Sequence, residues 1–449
     1  MARAIENSES FTRLQIPSNV DLLACHAFNR QRYPYLLESN GVGQANNGFD
    51  ILFAFPGEKI ESLNLKDNDF FSKFEESFNI HKNLSSSTDL PFTGGWFVFL
   101  SYELLASIEP KLSGLKVDTN LPIASAVRIP IAIIKRHKDD TCWIVCEKGE
   151  EALIDDVIAD LNKLKKTRFK KPKAKLQEDT PEAFLNGVKK IKSYLVEGDT
   201  LQVNLSRQWT GKIKQGFDYI EVYSSLRQCN PAPFSGLACF NGSVVCSSSP
   251  ERLISCLDET VQMRPIAGTR PRDDNEATDK EIAKELLLNA KESAEHIMLI
   301  DLIRNDLGRI CETGTVKVDE KMTLESYASV HHIVSNVSGK LSANKTPTDI
   351  IKAVFPGGTI TGCPKVRCME IINELEDAPR GAYTGSMGYI NRNGDLDLNI
   401  LIRTFTVNGK QLILRTGAGI VADSIAVNEL AETRHKAKAL LEALVPDEA

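Results

Sequence analysis

Long apolar segments are missing from this 449-residue chain. No run reaches the roughly 18 uninterrupted apolar residues of a membrane-spanning helix, and the first residues are polar and acidic where a secretory signal would be apolar. We therefore expect a cytoplasmic protein that does not associate with membranes. Positive charge is not in excess either, because the formal net charge is -6. That balance argues against nucleic acid as a partner, but it leaves room for a locally basic pocket.

Several motifs that mark common sites are also missing. The chain has 10 cysteines, but they are scattered through apolar strings without a CxxC pair, which indicates buried free thiols rather than disulfides. Neither GxGxxG nor the phosphate-binding loop GxxxxGKS/T occurs, so nucleotide binding is not indicated. The Gly-x-Cys-x-Gly turn that would carry the nucleophile of a glutamine amidotransferase is absent as well.

The chain divides by composition into three parts. Residues 1–165 alternate short apolar strings with Gly, Pro and Asn, which is typical of strands. Residues 166–180 carry a dense positive run and few apolar residues, so they are predicted to be a charged linker. Residues 181–445 alternate strand and helix patterns, beginning with a helix that has Thr180 as N-cap and Pro181 at its first position. A long helix-prone block runs from about Asp279 to Leu302, and a further helix is predicted at Asn428 to Leu444. The alternation predicts an α/β protein with large sheets.

Two of the predicted helices each carry a pair of glutamates three residues apart. Glu292 and Glu295 form the first pair, and Glu429 and Glu432 form the second. Carboxylates at that spacing project from nearly the same face of a helix. Each pair alone is compatible with a solvated acidic face, on which Lys436 would form an ordinary ion pair with Glu432. Facing inward together, the two pairs would provide an all-oxygen site for Mg2+.

Glycine-rich turns in "IAGT", "FPGGTITG" and "TGAGIV" predict an anion-binding pocket, because glycine lets backbone N–H groups approach an anion closely. In the absence of a polyphosphate motif, the pattern favours a carboxylate. Arg403 and Lys436 are candidate charged partners, Arg403 through a bidentate contact. A strand at "VHHIVS" would point His331 and His332 to opposite faces. A single strand histidine is more often structural than catalytic.

The order of the chain's motifs resembles that of the chorismate-utilising enzymes. These comprise anthranilate synthase component I, aminodeoxychorismate synthase component I, and the isochorismate and salicylate synthases. The motifs are "SPERLIS", "PIAGTRPR", "AKESAEHIMLIDLIRNDLGRI", "VHHIVSNVSG", "FPGGTITGCPKVRCMEIINELE", "GAYTGSMGYI", "LIRTF", "GAGIVADS" and "ELAETRHKA". The resemblance implies an α/β (α+β) fold, a four-layer α/β/β/α sandwich in which two interleaved halves enclose a chorismate pocket.

The resemblance also implies a role for individual residues. Glu295 and Glu432 would bind Mg2+, while Glu292 and Glu429 would support them or hold metal-bound water. Glu251 would be the general acid and base, with His332 and Thr359 nearby. The residues that contact chorismate would be Gly268, Thr269, Tyr383, Arg403, Gly417, Ala418, Gly419 and Lys436.

Three positions bear on the branch of the family. Gln202 stands where the isochorismate and salicylate synthases have a lysine, which favours an enzyme that uses ammonia. Ala267 occupies the position of a nucleophilic lysine in typical aminodeoxychorismate synthases, whereas anthranilate synthases have alanine there. Thr361 in "TITG" and the N-terminal strings resemble the aminodeoxychorismate branch, with water, ammonia or Thr361 as substitutes for the lysine. We expect 4-amino-4-deoxychorismate as product, for para-aminobenzoate and folate synthesis; the alternative is anthranilate, for tryptophan synthesis.

Two further ligands follow from the resemblance. Ammonia would come from a separate glutamine amidotransferase subunit, because this chain lacks the nucleophile turn of such an enzyme. The string "PYLLES" resembles the tryptophan-binding element of the family, with Leu37, Glu38 and Ser39 as the binding residues. The alternative for this string is an ordinary buried strand end.

Overall fold

The computed structural model describes residues 5–39, 48–67, 69–83, 88–273, 275–326 and 330–446. The strands in these ranges are β1 (Ile5–Asn7), β2 (Phe11–Ile16), β3 (Tyr35–Glu38), β4 (Phe49–Ala54), β5 (Lys59–Ser62), β6 (Gly95–Leu100), β7 (Ala124–Ile129), β8 (Ile131–Arg136), β9 (Thr141–Glu147), β10 (Ala174–Glu178), β11 (Gln202–Ile213), β12 (Phe234–Cys239), β13 (Ser243–Ser249), β14 (Arg252–Leu257), β15 (Thr260–Met263), β16 (Ile266–Pro271), β17 (Lys317–Ser326), β18 (Val330–Lys340), β19 (Gly362–Cys363), β20 (Ser386–Asn391), β21 (Leu396–Asn399), β22 (Thr404–Asn408) and β23 (Gln411–Ile420). The helices are α1 (Leu22–Phe28), α2 (Phe70–His81), α3 (Leu153–Lys163), α4 (Pro181–Glu197), α5 (Tyr219–Cys229), α6 (Glu276–Leu288), α7 (Ala290–Gly308), α8 (Pro347–Val354), α9 (Lys365–Leu375) and α10 (Ala426–Leu441).

The strands form two large sheets, and the strand pairs within them are antiparallel. The first follows the order β1-β2-β9-β8-β4-β3-β12-β13-β22-β23-β11-β10, with β19 also paired to β11. The second follows β16-β18-β15-β14-β21-β20-β6-β7-β5, with β17 paired to β18. Strands from residues 1–165 and from residues 181–445 lie in both sheets, joined by the antiparallel pairs β12 with β3 and β20 with β6. The two regions of the sequence therefore fold around shared sheets.

Aromatic side chains pack the two sheets against each other. Phe97 of the second sheet stacks on Tyr35 of the first, with ring centres 4.1 Å apart, and meets Phe53 edge-on at 5.4 Å. On the opposite face of β6, Trp96 meets Phe74 of α2 at 5.6 Å. Such pairs contribute beyond the area that they bury. Because both faces of β6 are covered, every residue of this strand is buried.

The helix ends follow the local sequence. Pro181 occupies the first turn of α4 after Thr180, as predicted, and Gly198 ends that helix with a left-handed φ of 81°. The helix-prone block from about Asp279 to Leu302 forms two helices, α6 and α7. Asn289 separates them, because its extended backbone closes α6 while its side-chain oxygen accepts from the N–H of Glu292 in α7, at 3.1 Å.

Part of the predicted charged linker is a strand. Residues 174–178 form β10, which pairs antiparallel with β11 at the edge of the first sheet. Within β10 only Ala174 is fully buried, and Leu176 is half-buried. The pairing supplies the backbone hydrogen bonds that the polar composition of residues 166–180 did not suggest. In the described ranges, no helix is long and apolar enough to cross a bilayer.

Candidate active site

Glu251 lies between β13 and β14 with its side chain buried. Its carboxylate Oε1 accepts a hydrogen bond from the Thr359 hydroxyl at 2.8 Å, and its carbonyl accepts from the N–H of Ile400 at 3.0 Å. Burial raises the pKa of Glu251 to about 7, although Thr359, Arg403 and Lys436 act in the opposite direction. A carboxyl whose pKa lies near neutrality can donate a proton and then take it back.

Arg403 lies within electrostatic range of both this carboxyl and the Tyr383 hydroxyl. Arg403 precedes β22 and has a left-handed φ of 54°, a backbone conformation that is uncommon outside glycine and that clusters at functional sites. Its guanidinium interacts electrostatically with Tyr383, Glu251 and Glu432. Burial raises the pKa of Tyr383 to about 12, so its hydroxyl stays a neutral donor at pH 7. A guanidinium beside a hydroxyl suits the binding of a carboxylate.

Two glycines of β23 let this pocket approach the neighbouring strand β11. A methyl group on Gly417 would lie 2.7 Å from the Tyr383 hydroxyl and 2.8 Å from Asn204 Oδ1, and one on Gly419 would collide with the Gln202 amide. Gln202 Oε1 and Asn204 Oδ1 are buried, and no described residue donates a hydrogen bond to either. Buried acceptors without a donor are costly. Both acceptors are therefore available to a molecule or a water that binds in the pocket.

The predicted glycine turn at "IAGT" is a bulged strand. In the pairing of β16 with β18 the register shifts between Ala267 and Thr269, where Gly268 has a left-handed φ of 67°. A glycine in this conformation produces a β-bulge, so the chain bends without leaving the sheet. Ala267 pairs with Ile333. The side chains of Ala267 and Thr269 lie outside the described part of the chain.

The two adjacent histidines face opposite sides of β18, as predicted. His332 is hydrogen-bonded to the backbone of Gly268, and burial lowers its pKa to about 4, so it is neutral at pH 7. His331 contacts Asp279 through Nε2 at 2.9 Å and Ser326 through Nδ1 at 2.8 Å. His331 is therefore held in a structural contact, whereas His332 lies in electrostatic range of Arg403.

The glutamate pairs lie on α7 and α10, next to two pocket strands. Glu432 Oε1 is 2.6 Å from Lys436 Nζ, which also donates to the carbonyl of Gly417 at 3.0 Å. On the other helix, a methyl group on Gly268 would lie 3.0 Å from Glu292 Oε2. Each helix thus brings one glutamate close to a pocket strand.

Their partners, Glu295 and Glu429, are half-buried on the same helices. Among the residues that the structure describes, no three His, Cys, Asp or Glu side chains converge closely enough to hold a metal ion. The four-glutamate Mg2+ site therefore stays a prediction.

Thr361 and Ala418 have structural contacts. The fully buried Thr361 hydroxyl donates to the carbonyl of Gly357 at 2.9 Å and closes the short 3-10 turn Gly358–Ile360. Its hydrogen is committed to the backbone, which favours a structural role over that of a nucleophile. Ala418, between the two pocket glycines, points into the hydrophobic core, so only its backbone is available to the pocket.

Comparison with known proteins agrees with this arrangement. Residues 32–442 match the family described as chorismate binding enzyme. This chain belongs to that family. The fold also matches the crystal structure of anthranilate synthase component I from Streptococcus pneumoniae TIGR4, with a TM-score of 0.77 and 31% identity, covering 87% of this chain and 92% of that one.

Relatives of this chorismate-binding enzyme fall into more than one branch. Aminodeoxychorismate synthase component 1 of Bacillus subtilis is 38% identical over 421 residues, which covers 90% of this chain and 86% of the relative. An anthranilate synthase component I-like protein of Synechocystis is 42% identical over 369 residues, which covers 82% and 75%. The mixed α/β fold with large sheets and the use of chorismate, both predicted from the motifs, are confirmed.

A second cavity of this chorismate-binding enzyme, of about 650 Å³, is lined by Leu37, Glu38 and Ser39. Burial raises the pKa of Glu38, whose carboxylate accepts hydrogen bonds from Tyr223 Oη at 2.6 Å and Arg227 Nη1 at 2.7 Å. Both donors belong to α5, so this helix fixes the Glu38 carboxylate. The Ser39 hydroxyl is buried, and none of the described residues hydrogen-bonds to it.

Two buried polar residues near the pocket, Asn204 and Arg380, were not predicted from the sequence motifs. Asn204 borders the pocket because it lies two residues after Gln202 in β11, and the two-residue repeat of a strand could have identified it. Arg380 lies behind the pocket with its guanidinium carbon 5.6 Å from the centre of the Tyr383 ring. No sequence pattern marks Arg380, because a lone arginine before a glycine turn is ordinarily a surface residue.

Proposed function

We propose that this enzyme aminates chorismate at C4 and releases 4-amino-4-deoxychorismate. The observation that carries the proposal is the Glu251 carboxyl, which has a pKa of about 7, is held by Thr359 and faces Arg403 and Lys436. The C4 hydroxyl of chorismate leaves poorly as hydroxide. A carboxylic acid aimed at that oxygen protonates it on departure and then acts as the base for the incoming group.

The cations of the pocket would bind the two carboxylates of the substrate. Arg403 and Tyr383 would hold the enolpyruvyl carboxylate, helped by the backbone N–H groups of residues 417–419. Lys436 would support the ring carboxylate, and residues 268 and 269 would contact the ring from β16. His332, neutral at pH 7, would offer a hydrogen bond without adding charge.

Glutamates of α7 and α10 would bind Mg2+ together with the ring carboxylate. Their oxygen-only donor set fits Mg2+, which takes one or two carboxylates, keeps several waters and binds the rest of its ligands from the substrate. Glu295 and Glu432 would be the ligands, and Glu292 and Glu429 would hold metal-bound water. When bound, the metal acts as a Lewis acid that draws electron density from the ring and favours addition at C2.

The incoming nitrogen would be oriented by two acceptors. Gln202 Oε1 and Asn204 Oδ1 are buried and lack donors among the described residues, so ammonia fits their requirement. Ala267 offers no amine, and the Thr361 hydroxyl is committed to the backbone. Water or ammonia would therefore add at C2 in place of a lysine while the protonated C4 hydroxyl leaves as water, and this C2 group would be expelled when ammonia adds at C4. Ammonia itself would come from a separate glutaminase subunit, which the name "component 1" of several relatives supports.

The preference for the C4 product rests on the relative from Bacillus subtilis, an aminodeoxychorismate synthase component 1 that this chain matches over 90% of its length. The alternative product is anthranilate, and the observation that favours it is Ala267, since direct addition of ammonia at C2 needs no protein nucleophile. The two reactions share the pocket and differ in which ring carbon receives nitrogen.

Incubation with chorismate, Mg2+ and an ammonium salt tests the proposal. We expect 4-aminobenzoate to form only after aminodeoxychorismate lyase is added. Fluorescent anthranilate that accumulates without the lyase would reject the C4 product in favour of the alternative. No consumption of chorismate with any amine source would reject both.

We also propose that the second cavity binds tryptophan. It combines apolar walls from Leu37 and Phe234 with the Ser39 hydroxyl, to which none of the described residues hydrogen-bonds. The Arg252–Asp397 ion pair lies in its wall at 2.8 Å. An amphipathic amino acid suits this mixture of surfaces.

A further inference from the structure

Arg380 is buried directly behind the pocket and uses all five of its N–H donors. Nε and Nη2 donate to the two carboxylate oxygens of Glu376, at 3.0 and 2.6 Å. Nη1 donates to the Ile360 carbonyl at 3.1 Å and the Thr384 hydroxyl at 3.3 Å, and Nη2 also donates to the Asn204 carbonyl at 2.8 Å. A guanidinium has five N–H groups. The side chain is therefore saturated by protein acceptors.

Three of these acceptors belong to segments that carry pocket residues. Ile360 follows Thr359, the donor to the catalytic carboxyl, and Thr384 follows Tyr383. Asn204 places a side-chain oxygen that accepts from none of the described residues in the pocket, while its backbone carbonyl accepts from the guanidinium. The guanidinium carbon also lies 5.6 Å from the centre of the Tyr383 ring, within range of a cation–π contact. One side chain thus connects three parts of the pocket wall.

The carboxylate that anchors Arg380 is itself fixed. Glu376 accepts from the N–H and the hydroxyl of Ser206, at 2.8 and 2.9 Å, and from Arg415 Nη2 at 2.9 Å. Burial acts to raise the pKa of Glu376, but the charges of Arg380 and Arg415 outweigh it and hold the pKa below its ordinary value. The anchor is therefore ionised at neutral pH, and ionised partners strengthen hydrogen bonds.

The main chain of the same turn is held from the N-terminal half. The N–H groups of Arg380 and Gly381 donate to Glu103 Oε1 at 2.8 and 3.1 Å. Gly381 has a left-handed φ of 57°, so the chain reverses here immediately before Tyr383. Both the backbone and the side chain of Arg380 are consequently fixed by contacts within the protein.

We propose that Arg380 is a positioning residue. It holds Tyr383, Asn204 and the 3-10 turn that contains Thr359 in the geometry that receives the substrate. The proposal rests on the proposed function of the pocket. Arg380 touches no reacting atom, because all of its donors are used by the protein. Lysine cannot replace it, because one ammonium group cannot reach all of the acceptors that surround the planar guanidinium.

The test is the kinetic effect of Arg380→Lys, alone and combined with Tyr383→Phe. The single Arg380→Lys change should raise the KM for chorismate by about tenfold or more, the scale of losing a charge-assisted hydrogen bond, and should change kcat less. If Arg380 acts through Tyr383, the double variant should be little worse than the poorer single variant. Fully additive effects of the two changes on kcat/KM would overturn the proposal.

Arg207→Lys is the matched control. Arg207 has a side chain that is only 1% exposed and lies next to Ser206 in β11, but its side chain pairs with Asp179 at 2.7 Å. We expect Arg207→Lys to affect the melting temperature without raising the KM selectively, and to be additive with Tyr383→Phe. If Arg380→Lys fails to fold, Glu376→Gln carries the test, because it weakens the same anchor and should raise the KM in the same way.

The outcomes separate the two proposals. Wild-type enzyme that does not consume chorismate would refute the proposed function. Active wild-type enzyme with an unchanged KM in folded Arg380→Lys, or in folded Glu376→Gln, would refute the positioning role alone.

Discussion

The Thr359 hydroxyl donates a hydrogen bond to Glu251 at 2.8 Å inside a pocket that raises the pKa of this carboxyl to about 7. The two effects oppose each other, because burial favours the neutral acid while the hydrogen bond favours the carboxylate. Their balance keeps the acid partly protonated at neutral pH, which is the state that a departing hydroxyl requires.

Replacing the carboxyl removes proton transfer and leaves the shape of the side chain. Glu251→Gln should lower kcat by about a hundredfold to ten-thousandfold, the usual contribution of a general acid or base, with a smaller change in KM. Steady-state loss of chorismate measures the effect. Glu259→Gln, an exposed change on the turn after β14, should keep wild-type rates. A Glu251→Gln enzyme with wild-type kcat would remove this residue from the mechanism.

Removing the hydrogen bond should shift the pH profile in a known direction. Thr359 lowers the pKa of Glu251, so Thr359→Val should raise it above about 7. The protonated acid then persists to higher pH, and the fall of kcat/KM on the alkaline side should move upward in pH. Rates are referred to the concentration of neutral ammonia, because ammonium titrates in the same region. A shift to lower pH, or none, would contradict the assignment of that limb to Glu251.

If Glu432 binds Mg2+, removing its carboxylate should abolish activity, whereas removing a carboxylate elsewhere on α10 should not. Glu432→Gln should abolish turnover, and added chelator should do the same to the wild-type enzyme, because both remove the Lewis acid at the ring carboxylate. Glu442→Gln at the exposed end of the same helix should behave like wild type. Turnover assays across a range of Mg2+ concentrations check both variants. Normal activity of Glu432→Gln at low Mg2+ would exclude Glu432 as a ligand.

The second cavity predicts a weaker amino-acid complex when its hydroxyl is removed. Ser39→Ala should raise the Kd for tryptophan about threefold to tenfold, the scale of one neutral hydrogen bond. Isothermal titration calorimetry measures this binding directly. Ser62→Ala, a buried serine of β5 whose hydroxyl bonds to backbone carbonyls, should leave the Kd unchanged. Absence of any tryptophan binding to the wild-type protein would leave the strand-end alternative.

Much of the pocket is readable from the sequence because its residues sit in long motifs at fixed order. Glu251, Thr359, Tyr383 and Arg403 all come from such strings, and the structure brings each within hydrogen-bond or electrostatic range of another. Their catalytic and binding roles stay predictions. The fold class follows from the alternation of strand and helix patterns.

Other features depend on tertiary context. The turn predicted around Gly268 is a bulge because pairing with β18 continues across it, and β10 forms in a charged stretch because β11 offers an edge. The helix break at Asn289 depends on one side-chain cap that helical periodicity does not reveal. The Arg380 side chain donates to acceptors in four segments of the chain, and the most distant of them, Asn204, lies 176 residues away in the sequence.

The most direct test of the proposed reaction is to identify the ring carbon that receives nitrogen. Chorismate is incubated with isotopically labelled ammonium, Mg2+ and the wild-type enzyme, and the product is examined by carbon and nitrogen NMR without any added lyase. We expect nitrogen bonded to C4 of a ring that keeps its enolpyruvyl ether. Nitrogen bonded to C2 of an aromatic ring, with one pyruvate released for each product, would contradict it.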